Sequence, residues 1–415
     1  GTSEVCGGAC TYTSSDESHC GACGTACATG ATCLSGTCTC PSGAIVCGGA
    51  CIDVEDDEMN CGSCGTTCSL VCAGGSCATA GAVALGAESS CAVMSNGRLY
   101  CWGYDRYGLG AGWTPTRRDT PTQIADFDTN GHTHCAVETD GTLSCWGYNY
   151  YYYVGDGTPT NRYAPVVLSG VAATQVSVGG EASCARLSDA TVQCWGRSYS
   201  AGSTGYVTRP APITGLTGVA EVRNGASHAC ARLTDGTVRC WGTNRYGQLG
   251  DGTTTSTPTP VSVPGITDAV QIAVGGEVSC ARHMDGRVSC WGQNTYGQLG
   301  DGSTTSRGTP LAVPTVTAAA DVGIGLYHTC VVRTGGGMRC WGRNSSGQLG
   351  DGTTTDTLWP TATPSLTDAA SVDAGSFHTC ATTTSGDVRC WGTNSRRQVG
   401  DGTTTRRLSP TAVSW

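Results

Sequence analysis

Cys280-Ala-Arg-His-Met-Asp-Gly286-Arg-Val-Ser-Cys290-Trp-Gly-Gln-Asn294-Thr-Tyr-Gly-Gln-Leu-Gly-Asp-Gly302 is the stretch on which the reading of the whole chain turns. Two cysteines flank a Met-Asp-Gly triplet, and the second is followed at once by Trp-Gly. A three-residue hairpin loop with Gly286 in the left-handed conformation places Cys280 directly opposite Cys290. Counting outward from the loop, 283/287 is a hydrogen-bonded pair and 280/290 a non-hydrogen-bonded pair. The close Cα approach of the latter suits a disulfide. The apolar run Ala269 to Val274 precedes it, so the unit reads strand, strand, tight turn, strand.

The pattern recurs along the chain as Cys91/Cys101, Cys135/Cys145, Cys184/Cys194, Cys230/Cys240, Cys280/Cys290, Cys330/Cys340 and Cys380/Cys390, each second cysteine followed by Trp-Gly. Seven copies mean seven structural units, and steps of 44 to 50 residues suit a four-stranded blade. The expected fold class is therefore all-β: a seven-bladed β-propeller over residues 79–415 with one cross-strand disulfide per blade, behind a small disulfide-rich module at 1–78. Glycine holds the loop position at 97, 141, 236, 286, 336 and 386, whereas blade three has Ala190, which predicts local strain there. Cysteine and tryptophan adjacent in a strand point to opposite faces, so the seven Trp-Gly tryptophans are expected in the seams between blades. A fourth strand is expected to follow the proline at 121, 165, 260, 310, 360 and 410.

Every basic residue is arginine, which removes lysine-dependent phosphate loops, Schiff bases and general bases. Residues 1–78 carry eight acids and no arginine, while the remainder carries 24 acids and 23 arginines. A nearly neutral propeller offers no global field for nucleic acid. No run of 18 apolar residues exists to span a membrane, and the start at Gly1 reads as a chain whose signal peptide has been removed. Paired cysteines imply an oxidising, extracellular location.

The front module, read as two tandem units at 1–40 and 41–78, holds 15 of the 29 cysteines. Cys6, Cys10, Cys20, Cys23 and Cys27 recur 41 positions later as Cys47, Cys51, Cys61, Cys64 and Cys68, and Cys33 and Cys38 recur as Cys72 and Cys77. Bridges are favoured over zinc ligation. The odd residue is Cys40, which leaves either Cys6 or Cys40 without an obvious partner. Asp53, Glu55, Asp56, Asp57 and Glu58 offer carboxylates for calcium, but lack the spacing and glycine of a known calcium loop and read more readily as a solvated acidic turn.

The motif Cys-Trp-Gly-x-Asn-x-x-Gly-Gln-Leu-Gly-Asp-Gly, nearly whole at 240–252, 290–302 and 340–352, resembles the regulator of chromosome condensation repeat family. The resemblance implies a seven-bladed propeller used mostly as a docking surface, in roles as different as a nucleotide-exchange factor for a nuclear GTPase and a secreted bacterial inhibitor of β-lactamases. Paired cysteines set this chain apart from the nuclear members. The Cys-Gly-Gly-x-Cys and Asn-Cys-Gly-x-Cys-Gly-x-x-Cys spacings at 47–51 and 60–68 resemble the stigma-specific cysteine-rich domains, which implies secretion without an activity.

Where the repeats break their own rule, the loops answer to something besides the fold. Blades one to three deviate most, placing Tyr104, Tyr107, Trp113, Tyr148, Tyr150, Tyr151, Tyr152, Tyr153, Tyr199 and Tyr206 in loops. Such an aromatic arc is the expected binding surface, with drift under local packing as the alternative. Ring closure should bring Arg396, Arg397, Arg406 and Arg407 of blade seven beside Arg106, Arg117 and Arg118 of blade one, a basic seam on which the acidic module of the same or a neighbouring chain is expected to dock. His228, His328 and His378 lie in separate blades and are expected not to share a metal. Threonine clusters at 253–259, 303–305, 353–357 and 403–405 are candidate glycosylation sites. The leading expectation is a secreted, non-enzymatic recognition or assembly protein that binds a protein partner or copies of itself, needs no cofactor, and forms a fibre or surface layer in its assembling form. The alternatives are a secreted enzyme inhibitor and a glycan-binding or enzymatic propeller.

Overall fold

Ala269–Gly275, Val278–His283, Val288–Gly292 and Arg307–Ala312 pair in that order as one antiparallel sheet. His283 N donates to Arg287 O at 2.9 Å, Cys280 lies opposite Cys290, and Gly286 turns the hairpin at φ 79°. The structure, a computed structural model, describes residues 3–6, 9–12, 15, 17, 18, 20, 22, 26–41, 44–55, 57, 59–68, 71–73, 76–108, 111–118, 121, 123–197 and 199–415. Sheets of the same order occur at 80–118, 219–262, 319–362 and 369–412. Blades two and three merge into one seven-stranded sheet because Arg162–Val178 runs on from the outermost strand of one into the innermost of the next.

Seven blades result, and each is stapled by the bond that its hairpin register implies. Cys91 bonds Cys101, Cys135 bonds Cys145, Cys184 bonds Cys194 and Cys230 bonds Cys240. Cys280 bonds Cys290, Cys330 bonds Cys340 and Cys380 bonds Cys390. The Cα separations of 4.0–4.2 Å are those of directly opposed, non-hydrogen-bonded pairs.

Each blade covers the next with its disulfide and meets the next blade's tryptophan. Cys280, Cys290 and Leu299 of blade five pack with Val322, Val331 and Trp341 of blade six, and Cys230, Cys240 and Leu249 pack likewise with Trp291. Cys330, Cys340 and Leu349 pack with Trp391, Cys135 and Cys145 with Trp195, Cys184 and Cys194 with Trp241, and Cys91 and Cys101 with Trp146. All seven Trp-Gly tryptophans are buried. The indole N–H is satisfied across the seam: Trp291 donates to Gln248 O, Trp341 to Gln298 O and Trp391 to Gln348 O, each at 2.9 Å. The glycine two residues beyond each of these carbonyls has no room for a Cβ, which at Gly300 would lie 2.6 Å from Trp341 Nε1.

The ring closes by repeating these bonds rather than by exchanging a strand. Trp102 Nε1 donates to Gln398 O at 3.0 Å on one face, and Ala80 N donates to Gly386 O at 3.0 Å on the other, as Ala269 N does to Gly236 O. Blades one and seven are therefore neighbours, as expected. The prolines depart from the expectation. Pro165, Pro260, Pro310, Pro360 and Pro410 lie inside their outermost strands, and Pro121 lies beyond the end of its own. An outermost strand has a partner on one side only, and in blade five the register passes from Arg307 to Leu311, leaving Pro310 in a bulge where its missing N–H costs nothing.

Residues 1–79 with Trp415 form one compact unit and residues 80–414 the other. In the first unit, short hairpins such as Thr32–Leu34 with Thr37–Thr39 are stapled by disulfides, since so few residues bury little apolar surface. Cys20–Cys33 and Cys27–Cys38 repeat as Cys61–Cys72 and Cys68–Cys77, which fits the duplication. Cys47 bonds Cys64. Cys40 bonds Cys51, so it has a partner after all. The side chain of Cys6 lies outside the described residues.

Ala190 adopts φ 62° where the other six blades have glycine. Ala190→Gly should raise stability by roughly 0.5–1 kcal/mol, because relief of the left-handed strain exceeds the entropy that glycine adds to the unfolded chain. Gly286→Ala should lower it by more, since its Cβ would lie 2.7 Å from Ala318 Cα. Denaturant midpoints with disulfides intact check both; an Ala190→Gly protein no more stable than the parent would contradict the assignment of strain.

Candidate functional site

Antiparallel alternation puts two kinds of connection on one face of the propeller: the short turns from innermost to second strand, and the long loops after each Trp-Gly. In the long loops the family motif is an internal brace. Asn294, fully buried, donates through Nδ2 to Asp301 Oδ1 at 3.1 Å, Ser303 O at 3.0 Å and Thr305 O at 3.1 Å, and accepts from Leu299 N at 2.9 Å. Asn149 of blade two does the same with Asp156, Thr158 and Val154. The brace consumes its own polar groups, so the variable positions between asparagine and glycine carry what the loop offers to a partner.

Tyr107, Tyr150 and Tyr151 occupy those positions, with Tyr148, Tyr152, Tyr153 and Tyr206 beside them. Tyr107 lies 5.3 Å from Tyr148, Tyr148 6.2 Å from Tyr153, Tyr150 4.8 Å from Tyr151, and Tyr151 stacks on Tyr206 of blade three at 6.1 Å. Tyr152 closes the set at 5.7 Å from Tyr206. The rings thus make one continuous patch across three blades, with Tyr150 62% and Tyr206 55% exposed. Tyr153 is buried, and burial raises its phenol pKa. Tyr104 and Trp113 lie under arginines of blade seven, at 5.0 Å from Arg396 and 3.5 Å from Arg397. Tyr199 is half-buried in a short helical turn, Tyr199–Ala201, with no ring neighbour among the described residues.

The cysteines of the blades take no part in this surface. Cys101, Cys145, Cys194, Cys240, Cys290, Cys340 and Cys390, like the partners they bond, are buried at 0–1% exposure, so a binding protein reaches none of them. Their role is to hold the hairpins that carry the loops, and as oxidised, enclosed sulfurs they offer neither a nucleophile nor a metal ligand.

Two loops violate the glycine rule of this motif. Gly247, Gly297 and Gly347 have φ of 76–78°, and their counterparts Tyr152 and Arg397 adopt φ 65° and 67°. A non-glycine residue held there costs about 1–2 kcal/mol. Each such side chain reaches an exposed ring on the next blade's outermost strand, Tyr206 or Trp113.

The arginines of blade seven meet different partners. Arg396 also faces Glu88 at 3.6 Å, Arg406 donates to Ser345 O at 3.1 Å, and Arg407 binds Asp401 at 2.5 Å. Arg106 is exposed, and Arg117 and Arg118 pair with Tyr100 and Leu99 in the blade-one sheet. Asp53 and Asp57 accept backbone N–H bonds from Glu55 and Met59, the pattern of turn-capping carboxylates, while Asp56 and Glu58 lie outside the described residues. Sulfurs of Cys20, Cys27 and Cys33, and of Cys61, Cys68 and Cys77, lie close enough to hold a metal, but each belongs to a disulfide. The threonine clusters lie in the loops; Thr253 is bonded to Asp251, and Thr254 and Thr255 are exposed.

His228, His328 and His378 are buried seam residues. His328 Nε2 meets Thr379 Oγ1 of the next blade at 2.8 Å, and that hydroxyl donates to Gln348 O, which fixes the histidine as the neutral Nε2–H form. Burial lowers each of the three to about 3.

A cavity of about 420 Å³ runs along the hub, lined by the seven innermost strands. Those strands are latched by side chains. Asp126 and Asp128 accept Val176 N and Val178 N at 2.7 and 2.8 Å, Glu221 accepts Ile272 N at 3.1 Å, Asp321 accepts Val372 N at 2.8 Å, and Asp373 accepts Leu85 N at 2.8 Å. Burial pushes Asp126 up to about 6, and burial with the nearby Asp128 carboxylate pushes Asp373 up to about 7. Burial opposes the charge of Arg223, but Glu221, Asp126 and Asp128 outweigh it and raise its pKa. The sequence reading missed this hub; its signal was polar residues at alternate positions of otherwise apolar strands, as in Asp126 and Asp128. It also passed over Tyr163, 66% exposed on the outer strand of blade two.

The RCC1-like domain profile matches residues 131–415, and that of the regulator of chromosome condensation (RCC1) repeat matches 82–109. Nothing among curated proteins matches the chain. Among solved structures it is similar to Prp20p from Saccharomyces cerevisiae, described with its binding to Gsp1p and histones (20% identity, 81% of this chain and 87% of that one, TM-score 0.67). It is also similar to human WBSCR16 (21%, 73% and 85%, TM-score 0.66). A third likeness is to the CRINKLY WD40 ectodomain of the Arabidopsis thaliana receptor kinase ACR4 (18%, 76% and 96%, TM-score 0.50). At these identities the likeness is one of fold.

Asp373 titrates near 3.8 unfolded and near 7 folded. Its contribution to stability is complete below about pH 4 and is lost as the pH rises to 7. Asp373→Asn keeps an acceptor for Leu85 N–H and has no charge to bury. The variant's stability relative to the native protein should therefore increase between about pH 4.5 and pH 8. Denaturant midpoints at both values check this, and a difference independent of pH would refute it.

Proposed function

The chain belongs to the RCC1-like domain family, and from that premise we propose that it is a secreted, non-enzymatic recognition protein that binds a protein partner through the tyrosine patch of blades one to three. The continuous contact of rings from Tyr107 to Tyr206 carries this reading. Tyrosine presents a large, amphipathic area with few rotatable bonds, so little entropy is lost when a partner covers it. Tyr152 supports the same reading, because a strained backbone persists where the side chain it delivers is of use. A disulfide in every blade supports an oxidising compartment. The plant ectodomain offers a precedent for this fold outside the cell, and the Prp20p structure a precedent for its use in binding proteins.

Copies of the chain are themselves candidate partners, in which case the product is an extracellular assembly. Sedimentation velocity on the full, oxidised chain across concentration separates self-association from binding to a different protein recovered from the secretion medium. Tyr150→Ser with Tyr206→Ser should weaken whichever association is found at least tenfold, about 1.4 kcal/mol or more. The unfolding midpoint should move by less than about 0.5 kcal/mol, because both rings are exposed. Association unaffected by the double substitution would remove the patch from consideration.

A further inference from the structure

Blades three and six carry the same arginine on the equivalent tyrosine, with two differences around it. Arg197 and Arg343 each lie two residues after the Trp-Gly tryptophan, and each packs its guanidinium on the loop tyrosine of the preceding blade. Arg197 is 5.2 Å from the centre of the Tyr151 ring, and Arg343 is 4.9 Å from that of Tyr296. In blade three the turn beneath supplies Glu181, 3.9 Å from Arg197. In blade six the equivalent residue is Tyr327, whose ring centre is 5.5 Å from Arg343, and Phe377 of blade seven adds a third ring at 5.3 Å. The rings also touch one another, Tyr296 to Tyr327 at 5.0 Å. Arg343 is half-buried, and no carboxylate lies within ion-pair distance of it among the described residues. Among the described residues its side chain donates one hydrogen bond, from Nε to Ser345 Oγ at 3.1 Å.

We propose that Arg343, with Tyr296, Tyr327 and Phe377, forms a binding site for a single carboxylate carried on a side chain of a protein partner. The partner brings the group that blade three holds internally. Three rings fix the guanidinium, so the entropy of ordering it is already spent, and they shield it enough to strengthen a charge-assisted bond. Both terminal nitrogens remain to form the two-pronged contact that matches a carboxylate. A single carboxylate matches the site because it presents one guanidinium, and Arg197 and Arg396 on the same face are already paired with Glu181 and Glu88. The site lies apart from the tyrosine patch and does not depend on it.

The test follows the Arg343 Nε–H signal of the full chain by NMR, assigned by its loss in Arg343→Gln. The probes, at millimolar concentration, are acetyl-Ala-Ala-Glu-Ala-Ala-amide, the same peptide with Gln, and galacturonic acid as a sugar-borne carboxylate. The Glu peptide should shift the signal saturably and the Gln peptide should not. Tyr327→Glu, which reproduces blade three, should weaken the Glu peptide at least tenfold while the near-ultraviolet dichroism stays native. Tyr150→Ser with Tyr206→Ser should leave it unchanged, which separates this site from the tyrosine patch. No shift with the Glu peptide, equal shifts with Glu and Gln, undiminished binding in Tyr327→Glu, or a response to galacturonic acid alone would each overturn the proposal.

Discussion

One contact repeated from blade to blade holds the propeller together: a tryptophan lies in the seam against the blade before it, and Trp102, Trp195, Trp241, Trp291, Trp341 and Trp391 each donate the indole N–H to that blade's loop. Burial of 150–250 Å² per tryptophan is worth on the order of 4–6 kcal/mol as an upper bound, and the hydrogen bond adds about 1 kcal/mol. The seam from Gln398 to Trp102 uses the same bond as the seam from Gln298 to Trp341, so closure needs no special device. The disulfide stiffens the hairpin on which the tryptophan rides, and the glycine beyond the carbonyl lets the loop approach the indole. Loop, hairpin and core are thereby one unit, and the loop face is held rigid enough to present aromatic side chains.

The hub follows a different logic. Inner strands of neighbouring blades form no backbone ladder, and carboxylates, the Gln175 amide oxygen and the Ser177 hydroxyl accept the next strand's N–H groups instead. Carboxylates in a narrow hub repel one another and lose their water, which is why Asp126 and Asp373 hold protons far above the usual range and Arg223 sits among them. The buried histidines in the seams pull in the opposite sense, since they stay neutral when folded and take up protons when unfolded. Hub and seams therefore oppose each other between about pH 4 and 6.5.

Much of this was legible in the residues. The ten-residue spacing of Cys280 and Cys290 around Met-Asp-Gly sets hairpin register by counting alone, and seven copies of it set blade number. Ala190 announced its strain because six glycines stood in the same place. The tyrosines of blades one to three announced themselves by departing from the motif; those from Tyr107 to Tyr206 come together, whereas Tyr104 packs under Arg396 and Tyr199 has no ring neighbour among the described residues. The prolines misled because a spacing says where a residue falls but not whether its N–H faces a neighbour. For the arginines of blade seven the residues gave the charge but not the local partner: Arg396 and Arg397 lie over Tyr104 and Trp113 of blade one, whereas Arg407 has Asp401 six residues away.

Short-range periodicity by itself determined the hairpins, the disulfides of the blades, the burial of the tryptophans and the all-β class, because alternation and loop length are local properties of the backbone. Only the tertiary structure decided which groups meet across blades: Trp102 with Gln398, Asp373 with Leu85, Arg343 with Tyr296 and Phe377. Those partners lie from 34 to 296 residues apart, and what brings them together is the curvature of a closed ring, a property that no single repeat contains.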